Sequence, residues 1–117
     1  MASKSYYKKK DKVYYKYNCH CAYCGIYLKI NDLYIDHIIP ISRFPEMINN
    51  KSDIPEYLEH LNINDVHHID NLNPACFDCN TLKGNLSLQI FKNKLKSNFY
   101  YANTNSKLQR FRFRGNL

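Results

Sequence analysis

The sequence is short of acidic residues, and it has no long apolar run and no internal repeat. Asp and Glu number 10 against 17 Lys and Arg, which leaves a formal net charge of +7 in 117 residues. This excess of positive charge favours polyanionic partners such as nucleic acid, although it also suits a merely soluble basic protein. Because no apolar run approaches the roughly 20 residues of a membrane span, no membrane partner is predicted.

An apolar signal segment is also missing from the first residues, since Met1 to Lys10 are polar and basic. This argues against secretion, and we therefore expect a cytoplasmic protein. In that reducing compartment cysteines bind metal more often than they form disulfides. The cysteine count of 5 is odd, which also argues against a pure disulfide framework. A chain of this length predicts one domain with a modest core, which a bound metal would reinforce.

Composition divides the chain into a basic, flexible leader (1–12), a central domain (13–100) and a basic, aromatic tail (101–117). The tail is predicted to form an edge strand or an arm that orders on binding. Pro and Asn mark an insertion at about 44–68 within the domain, with a helical stretch near 55–61.

The remaining elements follow from periodicity and from helix start and stop signals. A short helix is predicted over 10–18, a strand over 33–39, and a turn or short strand over 70–74. A helix over 77–83 should break at Gly84. Ser87 is then a plausible N-cap for a further helix, which places its apolar residues on one face: Leu88, Phe91 and Leu95.

Two Cys-x-x-Cys pairs carry the strongest chemical signal. Cys21 and Cys24 form the first pair, and Cys76 and Cys79 form the second. A two-residue spacer lets both thiolates reach one ion, and two such pairs supply the four sulfur ligands of a structural zinc site. The alternatives are reduced buried thiols or redox chemistry. The spare Cys19 has a poorer spacing to Cys24.

An Asp-His pair, Asp36-His37, interrupts the predicted apolar strand. Alternation along a strand places the two side chains on opposite faces. Charged groups inside an apolar strand cost free energy unless they are paired or metal-bound. Alone, the pair would be read as a hydrogen-bonded core histidine and a surface aspartate.

The order of four motifs changes that interpretation. Cys-x-x-Cys-Gly, Asp-His-Ile-x-Pro, Asn-Leu and Cys-x-x-Cys-Asn-x-x-Lys-Gly follow one another between about residues 19 and 86. This order resembles the HNH endonuclease family. The resemblance implies a small α+β domain with the ββα-metal (His-Me finger) fold, a four-cysteine structural zinc site and flanking helices.

The same resemblance implies roles for individual residues. His37 matches the general base, while Asp36 and Asn80 match the protein ligands of a catalytic divalent ion. Oxygen ligands of this kind suit Mg²⁺ or Mn²⁺. Asn71 matches the asparagine that braces the loop orienting the histidine. Lys83 and Arg43 are candidate phosphate contacts, with solvated surface charge as the alternative for both.

The chain departs from the family pattern in the length of the stretch between His37 and Asn71. That insertion holds His67 and His68, either of which could reach the metal, and Asn73 competes with Asn71 for the bracing role. The favoured prediction is DNA hydrolysis by nicking, with weak intrinsic sequence preference. Double-strand cutting would need a homodimer or a second binding event, and specificity would need a protein partner. The alternatives are a non-catalytic zinc-knuckle module that binds nucleic acid, and an RNA-cleaving nuclease.

Overall fold

The computed structural model describes the backbone of residues 4–102 and the side chains of residues 8–96. The helices and strands follow in the order α1 (Lys4–Lys16), β1 (Tyr34–His37), α2 (Phe44–Asn50), β2 (Leu72–Ala75), α3 (Phe77–Lys83) and α4 (Leu88–Ala102). Short 3-10 turns lie in the connections, at Ile30–Asp32, Ile41–Arg43, Glu56–Leu58 and Ile69–Asn71. The chain is therefore a small α+β protein, as predicted. In the described part of the chain, no helix has the length and apolar character needed to cross a membrane.

The sheet consists of β1 and β2 in antiparallel pairing, with Asp36 opposite Asn73. Strand β1 ends at His37, two residues before the predicted strand does. Asp36 is buried and His37 is partly exposed, which is the alternation that the sequence predicted. The carbonyl of Pro74 accepts a hydrogen bond from the backbone N–H of Ala22 at 2.9 Å. The first cysteine pair is thereby attached to the edge of the sheet.

Helix α1 begins earlier than the predicted helix over 10–18, so residues 4–12 of the predicted leader are helical. An isolated helix of this length is only marginally stable in water, and its docking explains the difference. Val13 is fully buried. The Tyr14 hydroxyl donates to the carbonyl of Leu28 at 2.6 Å. Lys16 donates to the carbonyl of Leu72 at 2.7 Å, which joins the last turn of the helix to β2.

The segment predicted as an insertion contributes to the core, and its helix lies elsewhere than predicted. Helix α2 occupies 44–50, whereas the stretch near 55–61 forms only the 3-10 turn at Glu56–Leu58. Pro45 lies in the first helical turn, where its missing N–H costs nothing. The buried residues of the segment follow a helical spacing and then the turn: Phe44, Met47, Ile48, Leu58 and Leu61.

Helices α3 and α4 follow the prediction closely. Helix α3 spans 77–83 and is followed by Gly84 at φ +49°, a left-handed conformation that favours glycine. The Ser87 hydroxyl accepts the backbone N–H of Ile90 at 3.3 Å, so the predicted N-cap is confirmed. The predicted apolar face of α4 is buried: Leu88, Phe91 and Leu95. Apart from the last two residues of α4, the predicted tail (101–117) lies outside the described residues.

Candidate metal centre and adjoining groove

Four of the five cysteines come together, as the spacing predicted. Their sulfur atoms all lie within 4.8 Å of one another, and the Sγ atoms of Cys24 and Cys76 are 3.7 Å apart. Cys21, Cys24 and Cys79 are buried, and Cys76 is partly buried. Four sulfur ligands with no open position fit a structural zinc ion.

Both cysteine pairs hold their sulfur atoms in the same way. The first sulfur of each pair accepts the backbone N–H of the second cysteine, at 3.5 Å from Cys24 to Cys21 and at 3.4 Å from Cys79 to Cys76. Gly25 closes the first turn at φ +79°, with its N–H on the carbonyl of Cys21 at 3.0 Å. Cys76 is the N-cap of α3, so the helix itself presents the second pair. These N–H donors stabilise negative charge on sulfur.

Hydrogen bonds among the four thiols shift their pKa values in opposite directions. Hydrogen bonding, first from Cys24, lowers the pKa of Cys21, whereas hydrogen bonding to Cys21 raises the pKa of Cys79. Four thiolates this close repel one another, so all four can ionise together only around a cation. Cys19 is not part of this group, in agreement with its poorer spacing.

A groove of about 410 Å³ lies beside the cysteine cluster, and three of the predicted site residues line it. Asp36 and His37 reach it from the end of β1, and Asn80 reaches it from α3. Ser42 and Asn85 lie at the same groove. The pairing of β1 with β2, and the attachment of α3 to the cysteine cluster, therefore bring together residues that are more than 40 positions apart.

The Asp36 carboxylate is buried in a network of side-chain contacts. The Tyr23 hydroxyl donates to its Oδ2, and Lys83 Nζ is 3.2 Å from its Oδ1. Burial raises the pKa of Asp36, and the Lys83 ammonium opposes that rise. Asn73 donates to the Tyr23 hydroxyl at 3.4 Å. Each carboxylate oxygen keeps a second lone pair, so Asp36 can still bind a cation from the groove side.

Lys83 does not lie at the surface, contrary to the prediction of a phosphate contact. Its side chain is fully buried, and Nζ also donates to the backbone carbonyl of His37 at 2.8 Å. Burial lowers the pKa of Lys83, and Asp36 offsets this effect. The buried carboxylate turns the lysine inward. Arg43 is partly exposed at the edge of the groove, where it donates to the carbonyl of Asn85 at 3.4 Å.

His37 makes its main side-chain contact with a residue of the predicted insertion. Its Nε2 is 2.9 Å from Nδ1 of His67. The backbone carbonyl of His67 in turn accepts a hydrogen bond from Lys9 at 2.9 Å. Burial, followed by the positive fields of His67, Lys83 and Lys9, lowers the pKa of His37 to about 4. With Nε2 directed at His67, Nδ1 is the ring nitrogen left to meet other groups.

Asn71 is fully buried and braces the segment that follows His37. Its Oδ1 accepts the N–H of Ile39 at 2.8 Å, and its Nδ2 donates to the carbonyls of Ile39 and Val66 at 3.2 and 2.9 Å. Its backbone carbonyl accepts the N–H of Ile38 at 2.8 Å. Asn73 makes none of these contacts and instead faces Tyr23. Asn71 thus braces the backbone that follows His37 and does not line the groove.

No signal in the sequence pointed to Tyr23, and His67, together with His68, was indicated only as a candidate metal contact. Tyr23 lies between Cys21 and Cys24, and nothing in its local pattern distinguishes it from other tyrosines. Its ring packs against Phe91 with centroids 5.0 Å apart, which aims its hydroxyl at Asp36. His67 lies in no motif, and His68 carries an identical side chain beside it.

Comparisons of the chain with models of protein families, with curated proteins and with solved structures found no match.

Proposed function

We propose that this protein is a metal-dependent endonuclease of the HNH type that hydrolyses DNA phosphodiester bonds. In this proposal β1, β2 and α3 form the ββα-metal unit, and zinc on the four cysteines is its structural clamp. The zinc ion would have no open coordination position, so phosphodiester hydrolysis would take place in the groove and not at the zinc ion.

One observation carries the proposal: Asp36, His37 and Asn80 line a single groove beside the four-cysteine cluster. The resemblance carried by the motif order implies that these residues lie close together. A carboxylate, an imidazole and an amide on residues that line one groove form a set suited to phosphodiester hydrolysis. A zinc-binding module without catalysis has no need of such a set.

Asp36 and Asn80 would hold the catalytic divalent ion. Their oxygen donors fit Mg²⁺ or Mn²⁺, which bind few protein ligands and keep several waters. When bound, such an ion would stabilise negative charge on the scissile phosphate and on the leaving oxygen. Lys83 and Tyr23 support this role, because together they favour the ionised form of the buried Asp36 carboxylate.

His37 would act as the general base. A base that takes a proton from water must be neutral before the reaction and within hydrogen-bond reach of that water. The contact of Nε2 with His67 fixes the ring, so Nδ1 would accept the proton. Lys83 holds the backbone carbonyl of His37, and Asn71 holds the backbone N–H of Ile39 just after it. His67 is therefore proposed as an orienting residue from the insertion.

The formal net charge of +7 supports a nucleic-acid substrate. Phosphate contacts would supply most of the affinity, which should fall steeply as salt rises. Arg43 at the edge of the groove is the proposed phosphate contact among the residues that the structure describes. A single groove of this kind would cut one strand, so nicking is the expected reaction.

The test is nicking of supercoiled plasmid by the zinc-loaded protein, with Mg²⁺, with Mn²⁺ and with no added divalent ion. His37→Ala is the test variant, and His20→Ala, which changes a histidine outside the groove, is the matched control. We expect nicking that needs the ion, survives in His20→Ala and disappears in His37→Ala. A wild-type protein that binds plasmid without cutting it would refute DNA cleavage. A single-stranded RNA substrate in the same assay would then separate an RNA nuclease from a binding module.

A further inference from the structure

A second set of metal-ligating side chains shares no residue with the cysteine cluster or the groove. One ligand atom from each of His60, His68 and Asp70 lies within 4.8 Å of the other two. Nε2 of His60 is 3.0 Å from Oδ2 of Asp70, and Nδ1 of His68 is 3.7 Å from the same oxygen. We propose that these three side chains form a second metal site for a zinc-class divalent ion.

The donor set selects the class of ion. Imidazole nitrogen suits zinc, nickel, copper and cobalt, whereas magnesium and calcium prefer oxygen ligands alone. Two imidazoles and one carboxylate leave a fourth position for water. The ion held here is therefore expected to exchange with solution, unlike a zinc ion enclosed by four sulfur atoms.

The backbone around these ligands is held in place by buried neighbours. His60 lies between Leu58 and Leu61, which are 0% and 2% exposed. Asp70 precedes the fully buried Asn71, whose N–H donates to the carbonyl of His68 at 2.8 Å. Because the three ligands are mounted on anchored backbone, little order has to be gained when the ion binds.

The local contacts also limit the affinity. Nδ1 of His68 accepts the backbone N–H of Asp70 at 3.0 Å, so an ion at that nitrogen replaces a hydrogen bond. This exchange should weaken binding by about tenfold. The three side chains are 55%, 39% and 45% exposed for His60, His68 and Asp70. The ion can therefore enter from solvent without any opening of the fold.

An ion at this site would connect two parts of the chain. His60 follows the 3-10 turn at Glu56–Leu58, and Asp70 lies in the turn that leads into β2. His67, beside His68, contacts the His37 imidazole. A bound ion would therefore cross-link these two parts of the chain next to the segment that presents His67. The site itself does not depend on the nuclease proposal.

The experiment is a cobalt titration of the zinc-loaded full chain, followed by visible absorption and by NMR of the histidine rings. We expect the wild type to bind cobalt without thiolate-to-cobalt charge transfer, with paramagnetic shifts at His60 and His68. His60→Ala should weaken this binding by at least about tenfold, because one of three ligands is lost. His20→Ala is the control and should bind as the wild type does.

Two results would overturn the proposal. One is a wild type whose His60 and His68 signals do not respond to cobalt. The other is equal cobalt affinity in the wild type and His60→Ala. Asp70→Asn provides a second ligand variant if circular dichroism shows that His60→Ala is not folded. An ion bound in the groove instead would leave the affinity unchanged in both variants.

Discussion

Asn71→Ala should strongly destabilise the fold, because three side-chain hydrogen bonds to backbone groups are lost together, two of them buried and one partly buried. The N–H of Ile39 and the carbonyls of Ile39 and Val66 are the partners. A hydrogen bond contributes roughly 1 kcal/mol net, and a buried group left without a partner costs about 1–3 kcal/mol. With the cavity added, we expect a loss of about 3–5 kcal/mol in the free energy of unfolding. That is a large share of the roughly 5–15 kcal/mol typical of a domain.

The assay is urea unfolding of the zinc-loaded protein, followed by far-UV circular dichroism. Asn49→Ala is the matched control, because Asn49 is exposed on α2 and its loss should change stability by less than about 0.5 kcal/mol. A loss below about 1 kcal/mol in Asn71→Ala would refute the bracing role.

Asn71→Asp provides a second test, because it predicts the direction in which stability changes with pH. Two carbonyl oxygens face the position of Nδ2, so burial and these acceptors should raise the folded-state pKa of the new carboxyl above its unfolded value. The folded state then binds an extra proton between the unfolded-state and folded-state pKa values. The free energy of unfolding must therefore fall as pH rises through that interval. Urea midpoints measured from pH 5 to pH 8 should therefore fall relative to those of the wild type.

Two further predictions concern the metal centre and the buried ion pair. Cys24→Ser should abolish stoichiometric zinc binding and folding together, whereas Cys19→Ser should keep one zinc ion. Elemental analysis measures the zinc content and circular dichroism measures the folding. Equal zinc content in both variants would contradict the ligand set. Lys83→Met should cost about 3–5 kcal/mol at neutral pH, because it leaves the Asp36 carboxylate buried without its cation. That cost should shrink as pH falls and Asp36 protonates, and Lys83→Met with Asp36→Asn should recover stability in urea unfolding; a pH-independent loss would count against the pair.

Local chemistry made several parts of the fold predictable. The Cys-x-x-Cys spacing, the stop at Gly84 and the cap at Ser87 act within one or two turns of chain. The local structure that these signals produce depends little on which segments of the chain pack against them. The apolar face of α4 was readable for the same reason, since a period of 3.6 residues is a local property.

Helix α2 and the early start of α1 could not be predicted from local sequence signals. Each helix is short or rich in polar residues, and packing supplies the stability that its own sequence lacks. Phe44, Met47 and Ile48 form an apolar stripe that is only about one helical turn long. Such a run remains ambiguous until the surface that buries it is known.

The sequence by itself determined which four cysteines form the candidate metal centre and the order of Asp36, His37, Asn71 and Asn80, because spacing and residue chemistry are local properties of the chain. Only the tertiary structure decided which groups surround them. Lys83 faces inward because a buried carboxylate lies opposite, and the fold of the insertion brings His67 rather than His68 to the His37 imidazole at the end of β1. Partners distant in the chain leave no local pattern, so contacts of this kind emerge only when the core brings the segments together.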